Sequence, residues 1–188
     1  MKFNRSIFIS LVLLIVVAAI YRIVPARPFG LISFAPHIAM ALFGGAVIKD
    51  RKWAFALPIF SMFLSDVLFQ VLYVNGLSST PGFYAGQITN YVLFAGLTLV
   101  GFAIKRITIP AVLTASLVAP TLYFIFSNFF VWTAGAGFER PKTLEGLLAC
   151  YADGLPFYTS SIAATLMFST ILFGGYYLLT ERKKVEAV

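Results

Sequence analysis

Long apolar stretches follow one another along almost the whole of this chain. They read as spans at about 7–24, 33–48, 53–74, 85–104, 108–133 and 157–180. A helix rises 1.5 Å per residue, so about 20 apolar residues cross the ~30 Å hydrocarbon core of a bilayer. In that core every backbone polar group must be satisfied within the protein, which leaves helices and closed barrels. A barrel strand alternates apolar and polar residues over about ten positions, and these stretches do not alternate. The expected fold is all-α: a six-transmembrane-helix bundle forming a single integral membrane domain over residues 1–188.

Charge supports the same reading. Only 11% of residues are charged, against about 25% in a soluble domain. The net charge of +7 would raise nucleic acid as a partner in a soluble protein, but here the basic residues sit at the ends of spans, where membrane topology accounts for them. The lipid bilayer is the expected partner, and nucleic acid is not. The start of the chain, a basic segment followed by the apolar run from Ile7 to Val24, could be a cleavable leader. Its length, the Tyr21–Arg22 pair at its end and the spans beyond it favour an uncleaved first helix.

Lys and Arg then orient the bundle, because short cytoplasmic connections are enriched in both. Lys2, Arg5, Lys49, Arg51, Lys52, Lys105, Arg106, Arg182, Lys183 and Lys184 fall on one side, and Arg22, Arg27, Arg140 and Lys142 on the other. The expectation is a multi-pass protein with both termini cytoplasmic. The non-cytoplasmic connections are the longer ones. The last of them carries a candidate helix at about 142–152, with Leu144, Leu147, Leu148 and Tyr151 on one face. That helix either covers a cavity or merely packs on loops.

Depth makes the polar residues informative. Asp66 lies thirteen residues beyond Trp53, so ~20 Å from the cytoplasmic edge. An ionised Asp there costs about 2.5–3.5 kcal/mol unless it is paired or protonated. Gln70 follows one turn later, His37 opens the second span, Gln87, Thr89, Asn90 and Tyr91 open the fourth, Asn128 and Trp132 close the fifth, and Tyr158 with Ser160 and Ser161 opens the sixth. Five helices thus bring polar side chains to one level beneath the non-cytoplasmic face, while the cytoplasmic halves are nearly apolar. That pattern suits a pocket open to the outside rather than a through-pore, which needs polar lining along its whole length.

The candidate substrate-binding residues are Asp66, Gln70, Asn90, Asn128, Trp132 and His37. In this reading the acid and amides orient a ligand and Trp132 stacks on a ring. Each also has a plainer role: Asn90 and Asn128 as interhelical hydrogen-bonders, His37 as a solvated imidazole at a helix start, Trp132 as part of an interfacial aromatic belt. No catalytic residue, cofactor or metal site is expected. Motifs of hydrolases, metalloproteases and nucleotide-binding loops are absent, Asp66 is the sole acid within a span, and the one cysteine, Cys150, provides neither a disulfide nor a cysteine-based zinc site.

The strings FAPHIAMALFGGA, ALPIFSMFLSD, PGFYAGQITNYVLFAGLTLVGFAIKR, SNFFVW and PKTLEGLLACYADGLPF resemble an uncharacterised bacterial membrane-protein family. Its layout is similar to that of the substrate-binding S-components of energy-coupling-factor (ECF) vitamin transporters. The resemblance implies capture of a small nutrient or vitamin at the non-cytoplasmic face for uptake, location in the bacterial inner membrane, and partnership with an ECF energising module. An accessory or structural subunit of a larger membrane complex is the alternative. S-components often dock that module through an alanine-xxx-alanine face in the first helix. This chain departs from the pattern, with adjacent Ala18 and Ala19 there and Ala41-xxx-Gly45 in the second span.

Overall fold

The computed structural model describes residues 36–78, 81–135 and 137–185. The expected first span, 7–24, lies outside the described residues. Five helices follow in order: α1 (His37–Val47), α2 (Arg51–Val74), α3 (Gln87–Phe102), α4 (Ile109–Ala134) and α5 (Leu144–Val185). All regular structure among the described residues is helical.

The helix boundaries have local causes. Ile48 turns extended after α1, and the Asp50 side chain then accepts from Lys52 N at 2.9 Å to cap α2. Thr108 caps α4 in the same way, with Pro110 in the first turn. Gly135 closes α4 in a left-handed conformation at φ 69°. Lys49–Lys52 and the Lys105–Arg106 turn therefore lie at one end of the bundle, the basic end, and the 75–86 and 135–143 connections lie at the far end.

Among the described residues, α2, α4 and α5 are long and apolar enough to cross a membrane. The helices at the expected second and fourth spans are shorter than the 33–48 and 85–104 read from the sequence. α1 has 11 residues, about 16 Å, and α3 has 16, about 24 Å. α1 is the centre of the molecule: His37 to Gly45 are all buried, and α2, α3, α4 and α5 all touch it.

Its small residues make that possible. A Cβ on Gly45 would collide with the Thr98 carbonyl and stand 2.8 Å from the Gly101 backbone, so α1 and α3 cross almost backbone to backbone. Against α2, Gly44 faces the Ala54 carbonyl, 3.0 Å from where a Cβ would stand. Buried Pro58 cannot donate to that carbonyl, and the close approach of α1 covers it. Phe43 packs on Phe173 and Tyr176 of α5 at 5.3 and 5.9 Å between ring centroids.

α5 departs furthest from the sequence reading. The expected outer helix and last span are one helix of 42 residues, about 63 Å long, uninterrupted at Pro156. Contacts along α4 explain its continuity. Cys150 Sγ approaches the Asn128 carbonyl at 3.5 Å, Tyr151 Oη donates to the Ile125 carbonyl at 3.0 Å, Tyr158 stacks on Phe124 at 4.6 Å, and Tyr158 Oη pairs with Thr121 Oγ1 at 2.9 Å. The register runs straight through the proline. Pro156 costs the helix its bond to the Ala152 carbonyl, and both residues are exposed. The helix begins at Leu144, just after Thr143, whose Oγ1 accepts from Gly146 N at 3.2 Å. The 144–155 segment thus extends a span along α4 instead of lying across the far end.

Candidate functional site

Asp66 sits on α2 eight residues before the helix ends at Val74, at the far end of the bundle. Its side chain is 1% exposed. Oδ2 accepts from Gln87 Nε2 at 2.8 Å and from Tyr91 Oη at 2.7 Å, both on the first turns of α3. Gln87 also donates to Tyr91 Oη at 2.9 Å. The spacing is helical: residues 87 and 91 are one turn apart and share the face turned to α2.

Gln70, one turn beyond Asp66, holds the connection between the two helices. Its Oε1 accepts from Gly82 N at 3.1 Å and Phe83 N at 3.3 Å, and Gln87 Nε2 reaches the Gly82 carbonyl at 3.4 Å. Gly82 is the contact point. A Cβ there would collide with the Asp66 carbonyl and the Gln70 backbone, so only glycine lets segment 81–84 settle on α2 beside the buried acid.

Asn90 extends the network to α4. Its Nδ2 donates to Tyr84 Oη at 2.8 Å, and Tyr123 Oη donates to its Oδ1 at 3.1 Å. Tyr123 lies against Phe94 at 5.0 Å, and Phe94 meets the His37 ring edge-on at 6.0 Å. His37 is buried, not solvated, with Nδ1 and Ser61 Oγ 3.2 Å apart. Asp66, Gln70, Asn90 and His37 therefore belong to one continuous assembly across α1, α2, α3, α4 and the 81–84 segment.

Asn128 and Trp132 turn elsewhere. Asn128 Nδ2 donates back to the Phe124 carbonyl of its own helix at 2.8 Å. Its side chain packs on Gly154 of α5, where a Cβ would stand 2.5 Å from Oδ1. Trp132 Nε1 donates to the Pro141 carbonyl at 2.9 Å, and Lys142 Nζ lies 5.2 Å from the ring centroid. Beside them Arg140 forms a bidentate pair with Asp153, at 2.8 and 2.9 Å. The pair holds the Arg140 guanidinium above its ordinary pKa. These residues clasp the 135–143 connection to α4 and α5.

Sequence reasoning placed Gln87 and Tyr91 at the right level but omitted them from the candidates, although they are the direct partners of Asp66. Their i, i+4 spacing opposite an acid was the available signal. Gly82 and Ser61 carry no comparable signal, since each matters only through a neighbour distant in sequence. No group of three or more His, Cys, Asp or Glu among the described residues is placed to hold a metal.

Long apolar helices, apolar side chains turned outward and a hydrogen-bonded polar assembly buried between them define an α-helical membrane protein. A family profile matches residues 2–188, and the chain belongs to the family of unknown function DUF6580. No curated protein and no solved structure matches the chain.

Proposed function

We propose that this chain is a six-span protein of the bacterial inner membrane, with both termini cytoplasmic, that binds a small nutrient or vitamin at its non-cytoplasmic side for uptake. The reading follows the plan of the S-components of ECF transporters, with an ECF energising module or other membrane subunits as partners in transport. One observation carries it. A carboxyl, three amide side chains and three tyrosine hydroxyls, drawn from α2, α3, α4 and one connection, are linked at a single end of the bundle. A small polar ligand is recognised by a few convergent groups of this kind within apolar walls. Asp66 is sealed under segment 81–84, so in this reading that segment is the cover through which a ligand enters. Asn90, Tyr84 and Tyr123 form the adjoining wall. Asn128 and Trp132 brace the neighbouring connection.

The test is thermal unfolding of the purified protein in nanodiscs across a vitamin panel, with mass spectrometry of any molecule that co-purifies. A ligand that raises the midpoint in the wild type and fails to do so in Asn90→Ala supports the proposal. No bound molecule and no shift across the panel refutes it.

The completeness of the network favours a second reading, an accessory or structural subunit of a larger membrane complex. Oδ2 of Asp66, Oε1 of Gln70 and both polar atoms of Asn90 already have partners inside the chain. Under that reading Asp66→Asn lowers the midpoint without altering any ligand response, and stoichiometric partners other than ATPase subunits co-purify.

A further inference from the structure

Along the α4–α5 seam each helix carries an internal proline, Pro120 and Pro156. Thr121 Oγ1, one residue beyond Pro120, pairs at 2.9 Å with Tyr158 Oη, two residues beyond Pro156. Toward the far end the antiparallel pairing continues, with Tyr151 Oη on the Ile125 carbonyl, Cys150 Sγ on the Asn128 carbonyl and Gly154 against the Asn128 side chain. This register puts the two prolines within about one turn of the same level. The half-helices beyond them, 121–134 and 144–155, are bonded to each other, and the Arg140–Asp153 and Trp132–Pro141 bonds add to the clasp.

Bending at that level breaks no helix bond. A proline has no N–H, so the Ser116 and Ala152 carbonyls lack their helical donors. Ser116 is fully buried, and its Oγ has no hydrogen-bond partner among the described residues. Beside each proline a threonine bonds back to its own helix, Thr121 Oγ1 to the Leu117 carbonyl at 2.7 Å and Thr159 Oγ1 to the Pro156 carbonyl at 3.1 Å. Back-bonded hydroxyls of this kind favour a bend. Pro58 differs, because Gly44 of α1 packs on the Ala54 carbonyl there. Tyr123, three residues beyond Pro120, ties the clasped pair to α3: its Oη donates to Asn90 Oδ1 at 3.1 Å, and its ring lies 5.0 Å from Phe94. We infer that α4 beyond Pro120 and α5 before Pro156 swing as one body on a paired-proline hinge, with the Tyr123–Asn90 bond as the latch. The swing carries Tyr123 off Asn90 and opens the polar assembly on its α4 side. The inference is independent of any ligand at Asp66.

The test places pairs of spin labels on the whole chain in nanodiscs, in a Cys150→Ser background, and measures distances by double electron–electron resonance. Ile88 on α3 is paired with Leu148 on α5, with Phe130 on α4 and, as the control, with Ile171 on α5 beyond the hinge; all four are exposed. Leu148 lies eight residues from Pro156, an arm of about 12 Å, so a bend of about 20° moves it by about 4 Å. Loss of one neutral hydrogen bond raises the open-to-closed ratio roughly two- to twelvefold. Tyr123→Phe is therefore expected to add a longer-distance population to the Leu148 and Phe130 pairs together and to leave the Ile171 pair unchanged. Pro120→Ala with Pro156→Ala restores both helix donors and is expected to suppress that population. Pro156→Ala alone, on an exposed turn, is expected to reduce it and carries the test should the double variant fail to fold. The inference is overturned if Tyr123→Phe leaves both pairs unchanged, if one lengthens without the other, or if the control lengthens with them. It is also overturned if the longer population survives Pro156→Ala undiminished.

Discussion

The Asp66 assembly and the α4–α5 seam lie at the same end of the molecule and use polar side chains in opposite ways. Around Asp66, side chains bond to side chains of other elements: Asp66 with Gln87 and Tyr91, Asn90 with Tyr84 and Tyr123. Along the seam, polar side chains mostly bond to backbone. Asn128 returns to its own helix, Tyr151 reaches the Ile125 carbonyl, and Trp132 reaches the Pro141 carbonyl. Removing a group from the first region takes a bond from a side chain that was placed for it. In the second, the partner is often a carbonyl that already serves the helix. A shared end of the bundle is therefore not a shared purpose.

The sharpest way to break this contrast is Asp66→Ala. It deprives two part-buried donors of their acceptor, at about 1–3 kcal/mol each, and is expected to cost about 2–5 kcal/mol. The measurement is reversible unfolding in detergent. Tyr91→Phe should be strongly non-additive with Asp66→Asn, by more than about 0.5 kcal/mol, because the two groups bond directly. Additivity of that pair would show that the Asp66 assembly is not a coupled unit.

A smaller loss is expected at the seam. Gly154→Val drives a side chain into Asn128 and costs about 1–3 kcal/mol through overpacking. Asn128→Ala in the same chain makes room and recovers part of that loss. Combined with Tyr91→Phe, the Gly154→Val cost should simply add, since one site lies between α4 and α5 and the other between α2 and α3. Coupling between them would merge the two regions into one.

The smallest effect belongs to Arg140→Ala. The Arg140–Asp153 pair is bidentate but solvated, with side chains 39% and 26% exposed, so the unfolding midpoint should move least and the difference should shrink in high salt. A loss as large as that of Asp66→Ala would mean that the 135–143 connection is as integral as the buried assembly.

Much of this was legible in the residues. The Asp66, Gln70 and Asn90 grouping follows from counting along helices, and α2 and α4 match the expected spans to within two residues at each end. The single-helix path of α5 was hidden by Asp153, Gly154 and Pro156, which read as a break. Gly154 is instead where α5 lies against Asn128, and Pro156 loses only a bond on an exposed face. Asn128 was grouped with the candidate residues by its level, and its side chain turns to its own helix and to Gly154 of α5. A helix turns 100° per residue, and nothing in SNFFVW marks which side faces α3 and which faces α5.

That division has one physical origin. The bilayer rewards apolar length and penalises charge, so the amino-acid order by itself determined that this is a helical membrane protein, where the charged ends of its helices lie, and at what level along its helix each polar group sits. Lipid tails and protein interior are both apolar, so little in the pattern of side chains favours one rotation of a helix over another. Rotation was decided by the packed bundle: by glycines at 45, 82, 101 and 154 that admit a neighbouring backbone or side chain, and by the few hydrogen bonds that those approaches bring into range.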